Sequence, residues 1–289
     1  MKRILLTAVM LIFARVTAAS AILAPLEPPH WTISVDAWID KTHLRYETVA
    51  WVYKPGPSYR MTLYGIGQLS QSTALHIVDR FDVILGRERS STVFNAGYWG
   101  SDPFDPAGLL LVDGVTYHKF SFARNPKSGD YKLSAVVCLD KHGQVRLLNT
   151  DGFDSPTESI KDSCFSAVQT GPILLHRGDN KIRPTEVTRG QEKFVLTVLG
   201  LDAHNAPYVV VFQSPVNLYV AAEFLRGVSS RSGHVTITGN GTIHASGGPG
   251  LLEAVDLGGG DGAACYAAGR RVIGNSLVAM PSAFTLGPP

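Results

Sequence analysis

The sequence predicts an α+β fold: a single strand-rich domain of mixed sheets and hairpins with few helices. Short apolar segments with alternating side chains recur along the chain, and in residues 31–35 the side chains of Trp31, Ile33 and Val35 fall on one face. Glycine, proline, asparagine and aspartate separate these segments at short intervals. The most helical spacing of apolar side chains is found in residues 216–226. The density of hairpins with short connections favours one domain over two.

Two hairpins stand out among the predicted strands. Asp113-Gly114 joins residues 108–112 to residues 115–120, and this dipeptide is a strong hairpin signal because both of its positions tolerate positive φ. A second hairpin joins residues 132–140 to residues 144–148. Further strands are expected at residues 46–53, 60–65, 83–85, 91–95, the end of 165–175, 194–201, 208–213, 234–237, 241–244, 270–273 and 276–280, with short helices at 72–79 and 159–163.

Composition places the chain among globular proteins. It has 289 residues, of which 45% are hydrophobic and 17% charged, and this is not the composition of a disordered chain. The net charge is only +2 at pH 7. After the N-terminal segment no run of Lys and Arg exceeds two residues. We therefore predict no nucleic-acid partner.

The N-terminus has the pattern of an export signal. The charged pair Lys2-Arg3 precedes an apolar run over residues 4–13, and Ala19-Ser20-Ala21 fits a small-residue cleavage site. The run is too short to span a bilayer. We predict a signal peptide over residues 1–21 and a single domain over residues 22–289. No other stretch is apolar enough for a membrane span, so the mature protein is expected to be secreted or periplasmic.

The chain has three cysteines, Cys138, Cys164 and Cys265. In an oxidising compartment, Cys138 and Cys164 could pair and leave Cys265 free. The alternative is three buried thiols, and the sequence does not rank the two.

Several classes of site lack the residues they need. The sequence contains no His-x-x-x-His, Cys-x-x-Cys or His-Glu-x-x-His pattern, so we predict no metal site. It also contains no Gly-x-Ser-x-Gly elbow and no phosphate-binding Gly-x-x-x-x-Gly-Lys-Ser/Thr loop. We predict that the protein uses no cofactor.

Residues 254–266 contain three consecutive glycines, Gly258 to Gly260, between Asp256 and Asp261. A backbone without side chains lets a ligand approach closely, and successive N–H groups in such a turn can hold an anion. The alternative is a tight connection between a strand and the next element.

Other polar residues lie in turns beside predicted strands, namely Asn95, Gln169 and Arg189. Amides and carboxylates bind sugar hydroxyls, Arg and backbone N–H groups bind phosphate, and cleavage of a glycosidic bond uses a pair of carboxylic acids. These residue types therefore suit a sugar-phosphate or glycan ligand. Each residue also has a plain structural interpretation, Asn95 as a turn residue and Arg189 as a solvated charge.

The order of these motifs resembles that of the phosphodiester glycosidase family. In order, the motifs are Asn95-Ala96-Gly97-Tyr98-Trp99, Pro106-Ala107-Gly108-Leu109 with Asp113-Gly114, Gln169-Thr170-Gly171-Pro172, and residues 254–266. That family includes the uncovering enzyme, which removes N-acetylglucosamine from a sugar phosphodiester, and bacterial proteins labelled exopolysaccharide biosynthesis proteins. Its members carry an Asn-Gly-Gly-Phe-Phe-like run, Gln-x-Gly-Pro, an Arg before the second half, and a late Leu-Asp-Gly-Gly-Gly-Ser run.

The resemblance implies substrate-binding roles for Asn95, Tyr98, Gln169, Gly171 and Arg189. Tyr98 stands at the first of the paired phenylalanine positions of the family motif. Arg189 is the best match for the family's Arg, although the residues around it depart from the family pattern.

The late motif departs further. An ungapped alignment sets Gly258 on the family's Asp, while Gly259 and Gly260 match its glycines. We expect the three glycines to bind substrate and Asp256 or Asp261 to be catalytic. In a regular strand Asp256 and Gly258 face the same side, about 7 Å apart at roughly 3.3 Å of rise per residue.

Two functions follow from the resemblance. The first is a hydrolase that cleaves a sugar-1-phosphodiester on a glycan or envelope polymer. The second is a binding protein for a sugar phosphate or polysaccharide on the same fold, in which the altered late motif has impaired catalysis.

Overall fold

The computed structural model describes residues 30–39, 42–56, 58–65, 92–98, 106–121, 133–150, 156–182, 193–227, 234–239, 248–259, 265–267, 270–273 and 282–287. These ranges contain eighteen strands and two helices. The predicted strand-rich α+β fold with few helices is confirmed. Every pairing between the described strands is antiparallel.

The elements follow in chain order. The first eight strands are β1 (His30–Ile39), β2 (Thr42–Tyr53), β3 (Arg60–Gly65), β4 (Thr92–Asn95), β5 (Leu110–Val112), β6 (Val115–His118), β7 (Ala135–Leu139) and β8 (Val145–Asn149). Next come α1 (Pro156–Ser163), β9 (Ser166–Thr170), β10 (Ile173–His176), β11 (Asp179–Asn180), β12 (Phe194–Leu201), β13 (Pro207–Val216) and α2 (Leu218–Leu225). The last elements are β14 (His234–Gly239), β15 (Glu253–Gly259), β16 (Cys265–Ala267), β17 (Arg270–Ile273) and β18 (Ser282–Gly287).

The strands form three sheets. The largest has eight strands in the order β11-β10-β15-β12-β13-β2-β1-β14. The other two have five strands each, β17-β16-β4-β18-β3 and β6-β5-β9-β7-β8. Consecutive strands pair in each sheet, but β15 lies between β10 and β12 and β4 lies between β16 and β18. Distant parts of the chain therefore meet in the middle of the sheets.

The described residues form three buried apolar clusters, and two of them lie against the eight-stranded sheet. The first packs one face of the eight-stranded sheet against α2 and includes Trp31, Val198, Phe212 and Phe224. The second takes buried side chains from all three sheets, such as those on β4, β7 and β15. Because the second cluster is shared, the ends of strands from different sheets come close together at its margin.

Local sequence signals account for several connections. Asp113 and Gly114 have φ of 49° and 79°, the two positive values of the hairpin turn that the dipeptide predicts. The helix expected at residues 216–226 is α2, and Asn217 caps it by accepting a 2.9 Å hydrogen bond from the Tyr219 N–H. Val216 is instead the last residue of β13.

Not every strand was predicted, the end of β9 differs from the prediction, and four predicted elements lie outside the described residues. Strand β18 was not predicted, because a single short apolar run after a proline carries little local signal. Gln169 and Thr170 belong to strand β9 rather than to the turn that follows it. The elements expected at residues 72–79, 83–85, 241–244 and 276–280 lie outside the described residues.

The cysteines follow the first of the two alternatives. Cys138 on β7 and Cys164 after α1 form a disulfide with an S–S distance of 2.06 Å. Cys265 on β16 is a free, buried thiol. In the part of the chain that the structure describes, no helix has the length and apolar character needed to cross a membrane.

Candidate functional site

Strand β15 carries Asp256 at a break in its regular pairing. Its neighbour β12 pairs Val198 with Asp256 and Leu196 with Gly259. A single residue of β12, Thr197, therefore stands opposite two residues of β15. This is a β-bulge with one extra residue directly after Asp256, and bulges of this kind redirect side chains at the margin of a sheet.

The bulge requires glycine at position 258. Gly258 has a φ of 134°, a conformation that other residues rarely adopt. A Cβ atom on Gly258 would lie 2.9 Å from Asn95 Nδ2, closer than a carbon atom can approach without displacing the amide. Two of the predicted site residues, Asn95 and Gly258, are thus packed directly against each other.

The Asp256 carboxylate is enclosed by protein groups. Its Oδ2 atom accepts a 2.6 Å hydrogen bond from the Tyr98 hydroxyl, and its Oδ1 atom accepts a 2.9 Å hydrogen bond from the Gly258 N–H. Asp256 is 0% exposed, whereas Tyr98 is half-buried. The expected 7 Å separation of Asp256 and Gly258 rested on a regular strand; in the bulge the carboxylate instead turns onto the Gly258 main chain.

The main chain of Asp256 is held from the other side by the end of β9. The Thr170 hydroxyl donates a 2.7 Å hydrogen bond to the Asp256 carbonyl oxygen, and the Asp256 N–H donates a 3.1 Å bond to the Pro172 carbonyl. Thr170 is fully buried. The Gln-Thr-Gly-Pro run therefore reaches the site through Thr170 and Pro172, which sequence reasoning did not single out. The position of Thr170 within a quoted motif was the available signal.

Burial controls the charge state of Asp256. Removal from water raises the pKa of the Asp256 carboxyl to about 7, against the opposing effects of the hydrogen bonds from Tyr98 and from the Gly258 N–H. A carboxyl with this pKa exists in both protonation states near neutral pH. Perturbed groups of this kind are concentrated at functional sites.

Asn95 ends β4 and contacts the bulge. It is fully buried, and its Nδ2 atom donates a 2.9 Å hydrogen bond to the Leu257 carbonyl oxygen. The residue after it is fixed to β18, where the Ala96 N–H donates a 3.1 Å bond to the Ser282 carbonyl and the Ser282 hydroxyl donates to the Ala96 carbonyl. The Asn95 amide thus joins the second sheet to the bulge of the first.

Gln169 lies on β9, in the third sheet, and its amide bonds entirely to main chain. Its Oε1 atom accepts from the Leu109 N–H at 3.0 Å and from the Ser121 N–H at 2.9 Å. Its Nε2 atom donates to the Ser121 carbonyl at 2.9 Å and to the Leu133 carbonyl at 3.0 Å. These four bonds use the whole hydrogen-bonding capacity of the amide. Gly108 packs on it so closely that a Cβ there would lie 2.4 Å from Oε1.

The structure therefore brings part of the predicted set together. Asp256, Tyr98, Asn95 and Gly258 are in direct contact, while Gly259 ends β15 and Gly171 follows β9. Gln169 lies on β9, directly before Thr170, whose hydroxyl bonds to the Asp256 carbonyl oxygen. The remaining predicted residues, Arg189, Gly260 and Asp261, lie outside the described residues.

Thr197 is a further polar residue at the bulge. It is fully buried opposite the extra residue of β15, and its hydroxyl has no hydrogen-bond partner among the described residues. No feature of the sequence distinguishes it from an ordinary strand threonine. As for metals, the described residues contain no cluster of three or more His, Cys, Asp or Glu side chains that could hold an ion.

Comparisons with known proteins bear on the fold. No protein-family model and no curated protein matches the sequence. Among solved structures, the chain is similar to the catalytic domain of zebrafish N-acetylglucosamine-1-phosphodiester alpha-N-acetylglucosaminidase, auto-inhibited by its pro-peptide, with a TM-score of 0.54 and 15% identity over 92% of this chain and 85% of that chain. This similarity shows a phosphodiester glycosidase-like fold.

Two weaker similarities were also found. A hypothetical protein from Synechocystis matches with a TM-score of 0.47 and 12% identity, over 89% of this chain and 62% of that chain. A protein from Burkholderia pseudomallei that is described as exported matches with a TM-score of 0.28 and 12% identity, over 91% of this chain and 58% of that chain.

Proposed function

We propose that the protein is a phosphodiester glycosidase that hydrolyses a sugar-1-phosphodiester on a glycan or envelope polymer. The observation that carries this proposal is the Asp256 carboxyl, buried at the bulge of β15 with a pKa raised to about 7. The fold shared with the N-acetylglucosamine-1-phosphodiester alpha-N-acetylglucosaminidase supports the choice of substrate class.

The chemistry of Asp256 suits this reaction. Cleavage between C1 of a sugar and a phosphate oxygen is assisted by a group that protonates the departing oxygen, and such a general acid works best when its pKa is close to the operating pH. An ordinary carboxyl is almost fully ionised at pH 7, whereas a carboxyl with a pKa of about 7 keeps its proton in about half of the molecules. Burial thus converts Asp256 into a usable acid at neutral pH.

The bulge also supports a different alignment of the late motif. With Leu257 treated as a one-residue insertion, Asp256 takes the position of the family's Asp and Gly258 to Gly260 take the positions of its three glycines. The extra residue of β15 relative to β12 lies at this point. On this alignment the family's carboxylate is kept.

Two of the other site residues receive roles from their contacts, and the rest from the resemblance of the sequence motifs. We assign Asn95 and Gln169 to positioning, because their amides are bonded to main-chain atoms of the site and of the neighbouring hairpin. Arg189 and the N–H groups of Gly259 and Gly260 are proposed to bind the phosphate. Asp261 is proposed as the second carboxylate, which directs the attacking water.

The proposed location is outside the cytoplasm, in the periplasm or secreted. The Cys138–Cys164 disulfide supports this, because such bonds persist in oxidising compartments. The signal-peptide pattern at residues 1–21 agrees with it. The expected ligand is then a cell-surface or exported glycan bearing sugar phosphates.

A second candidate function is binding without turnover. Both oxygens of Asp256 already accept hydrogen bonds from protein groups, and the residue is 0% exposed. In this second candidate the carboxylate serves only to hold the bulge beneath a sugar-phosphate site.

The deciding experiment measures sugar release by the purified protein. Methyl N-acetylglucosaminyl phosphate and its glucosyl and galactosyl counterparts are the substrates, and Asp256→Asn is the test variant. Asp179→Asn is the matched control, because the Asp179 side chain is exposed and its ion pair among the described residues is the 3.7 Å contact with Lys181.

Hydrolysis that falls about 100-fold or more in Asp256→Asn and persists in Asp179→Asn supports the hydrolase. Calorimetric binding of the same compounds without release of sugar supports the binding protein. If the protein neither binds nor hydrolyses any of them, both candidates are overturned.

A further inference from the structure

We propose that Tyr98 is the catalytic residue that delivers the proton to the departing phosphate oxygen, and that Asp256 acts through it. This inference rests on the proposed function. It assigns the transfer of the proton to the substrate to Tyr98 instead of Asp256. The observations behind it are that the Asp256 carboxyl is fully buried and that Tyr98, which is only half-buried, donates a 2.6 Å hydrogen bond to it.

The Asp256 side chain is not exposed to solvent in this structure. It is 0% exposed, and Tyr98 and the Gly258 N–H each engage one of its oxygens. Tyr98 is half-buried, so part of its side chain is accessible while its hydroxyl lies 2.6 Å from Asp256 Oδ2. The Tyr98 hydroxyl is thus placed to carry a proton between the carboxyl and a bound ligand.

The Tyr98 side chain is held in a defined position. Gly97, with a φ of 75°, turns the chain after β4, and the Tyr98 carbonyl then accepts a 2.9 Å hydrogen bond from the Ala107 N–H. On the other side the ring faces Gly258, where a Cβ would lie 4.0 Å from Tyr98 Cε1. Since the main chain is anchored and the ring rests on a glycine, the hydroxyl is directed at the carboxylate without a large conformational cost.

The proton transfer balances without a co-reactant other than water. Protonated Asp256 gives its Oδ2 proton to the Tyr98 oxygen, and Tyr98 gives its own proton to the oxygen that bridges C1 and phosphorus. The C1–O bond breaks, and its electron pair stays with that oxygen, which leaves as a phosphomonoester hydroxyl. Water supplies the hydroxyl group at C1, and the proton it releases restores Asp256 through Tyr98.

The pair is a better proton donor than either group alone in this setting. A tyrosine hydroxyl is a weak acid at neutral pH, so its proton leaves readily only if another takes its place. A buried carboxyl that is protonated at neutral pH supplies that proton over a single short hydrogen bond. When Asp256 is ionised, Tyr98 donates to it instead and is no longer free to protonate a ligand.

The test compares Tyr98→Phe, and 3,5-difluorotyrosine introduced at position 98 alone, with the unmodified protein on methyl N-acetylglucosaminyl phosphate. Tyr117→Phe is the matched control, since Tyr117 is an exposed tyrosine on β6. We expect Tyr98→Phe to lower kcat about 100-fold or more with a smaller change in KM, and to abolish the loss of kcat/KM as pH rises through about 7. Tyr117→Phe should leave both unchanged.

The fluorinated variant separates a catalytic hydroxyl from a structural one. It keeps the shape of the ring and the hydroxyl but makes the hydroxyl more acidic, so the alkaline limb of the pH profile should shift to lower pH. The role of Tyr98 is overturned if Tyr98→Phe leaves kcat and the pH profile unchanged. It is also overturned if the fluorinated variant does not shift the alkaline limb of the pH profile. Neither result contradicts the proposed hydrolase activity. If Tyr98→Phe does not fold, the fluorinated variant decides. Absence of hydrolysis by the unmodified protein overturns the proposed function itself, and the relay with it.

Discussion

The Tyr98 hydroxyl donates a 2.6 Å hydrogen bond to Asp256, a residue 158 positions further along the chain. Tyr98 follows β4 of the five-stranded second sheet, and Asp256 lies on β15 of the eight-stranded sheet. The contact therefore joins the second sheet to the strand that carries the bulge after Asp256.

Asp256 should make the free energy of unfolding depend on pH in the direction opposite to an ordinary ion-paired carboxylate. Its pKa is raised from 3.8 to about 7, so the folded protein binds more protons than the unfolded chain between these values. Stability from this residue is therefore fully present below about pH 4, falls as pH rises to about 7, and stays low above it, by on the order of a few kcal/mol in total. Urea unfolding of the protein and of Asp256→Asn from pH 4 to 8 measures the difference.

The comparison between the two proteins isolates Asp256, because all other titrating groups are common to both. We expect the variant to lose this downward slope between pH 4 and 7. The same slope in both proteins would show that folding does not raise the pKa of Asp256.

Substitution of Gly258 by alanine should destabilise the protein and inactivate the proposed enzyme. The new Cβ would meet Asn95 Nδ2 at 2.9 Å, and alanine at a φ of 134° is strained. We expect a loss of about 1–3 kcal/mol in the free energy of unfolding. The Asn95 bond to the Leu257 carbonyl would be displaced as well.

Gly56→Ala is the control for Gly258→Ala, because a Cβ at Gly56 has no heavy atom within 4 Å. Thermal or urea unfolding should show a change below about 0.5 kcal/mol for this variant. Equal effects of the two substitutions would contradict the packing of Asn95 on the bulge.

Replacement of Gln169 by leucine should be among the most destabilising single changes at the site. It would leave the N–H groups of Leu109 and Ser121 and the carbonyls of Ser121 and Leu133 without their side-chain partner. At about 1–3 kcal/mol for a buried polar group left unpaired, and with partial rehydration, we expect a loss of about 3 kcal/mol or more. Unfolding by urea is the measurement.

Gln144→Leu is the matched control, since Gln144 is an exposed glutamine whose amide makes a 3.4 Å bond to the Tyr59 carbonyl. A change below about 1 kcal/mol is expected there. An equally small loss of stability in Gln169→Leu would show that the Gln169 amide does not hold β9 to the segments around Leu109, Ser121 and Leu133.

The Cys138–Cys164 disulfide should stabilise the fold by constraining the unfolded chain. The two cysteines are 26 positions apart, and closing a loop of that length corresponds to about 3.5 kcal/mol in the chain-entropy account. We expect the double variant Cys138→Ser, Cys164→Ser to unfold at a lower temperature by several degrees. Cys265→Ser serves as the control, because this buried thiol is not in the disulfide.

A second measurement checks which thiols are free. Alkylation of the unfolded, unreduced protein should modify Cys265 alone, and reduction should expose the other two. Three reactive thiols before reduction would contradict the disulfide.

Local patterns in the sequence were sufficient for many of the strands and turns. Alternation in residues 31–35 and the Asp113-Gly114 turn depend on contacts between near neighbours, and both match the structure. The same local basis misled the prediction for the late glycine run. Gly258 and Gly259 belong to strand β15 rather than to a turn: Gly258 lies in the bulge with a φ of 134°, and Gly259 pairs with Leu196 of β12.

Most residues of the candidate site could be predicted from the sequence, but their contacts with one another are known only from the tertiary structure. Asp256, Asn95, Tyr98 and Gln169 were identified from the order of short motifs. Their order did not reveal that the amides of Asn95 and Gln169 bond to main chain, since their partners lie on segments far away in the chain. Thr197 carried no distinguishing pattern, and Thr170 was indicated only by its place in the Gln169-Thr170-Gly171-Pro172 run.

The sequence by itself determined the strand-rich class, the hairpins and the presence of an aspartate beside three glycines, because side-chain alternation and turn conformation are decided within a few residues. The tertiary structure alone decided the order of the sheets, the bulge after Asp256 and the bond from Tyr98. Burial and pairing between distant strands depend on how three sheets meet, and that packing raises the pKa of Asp256 to about 7.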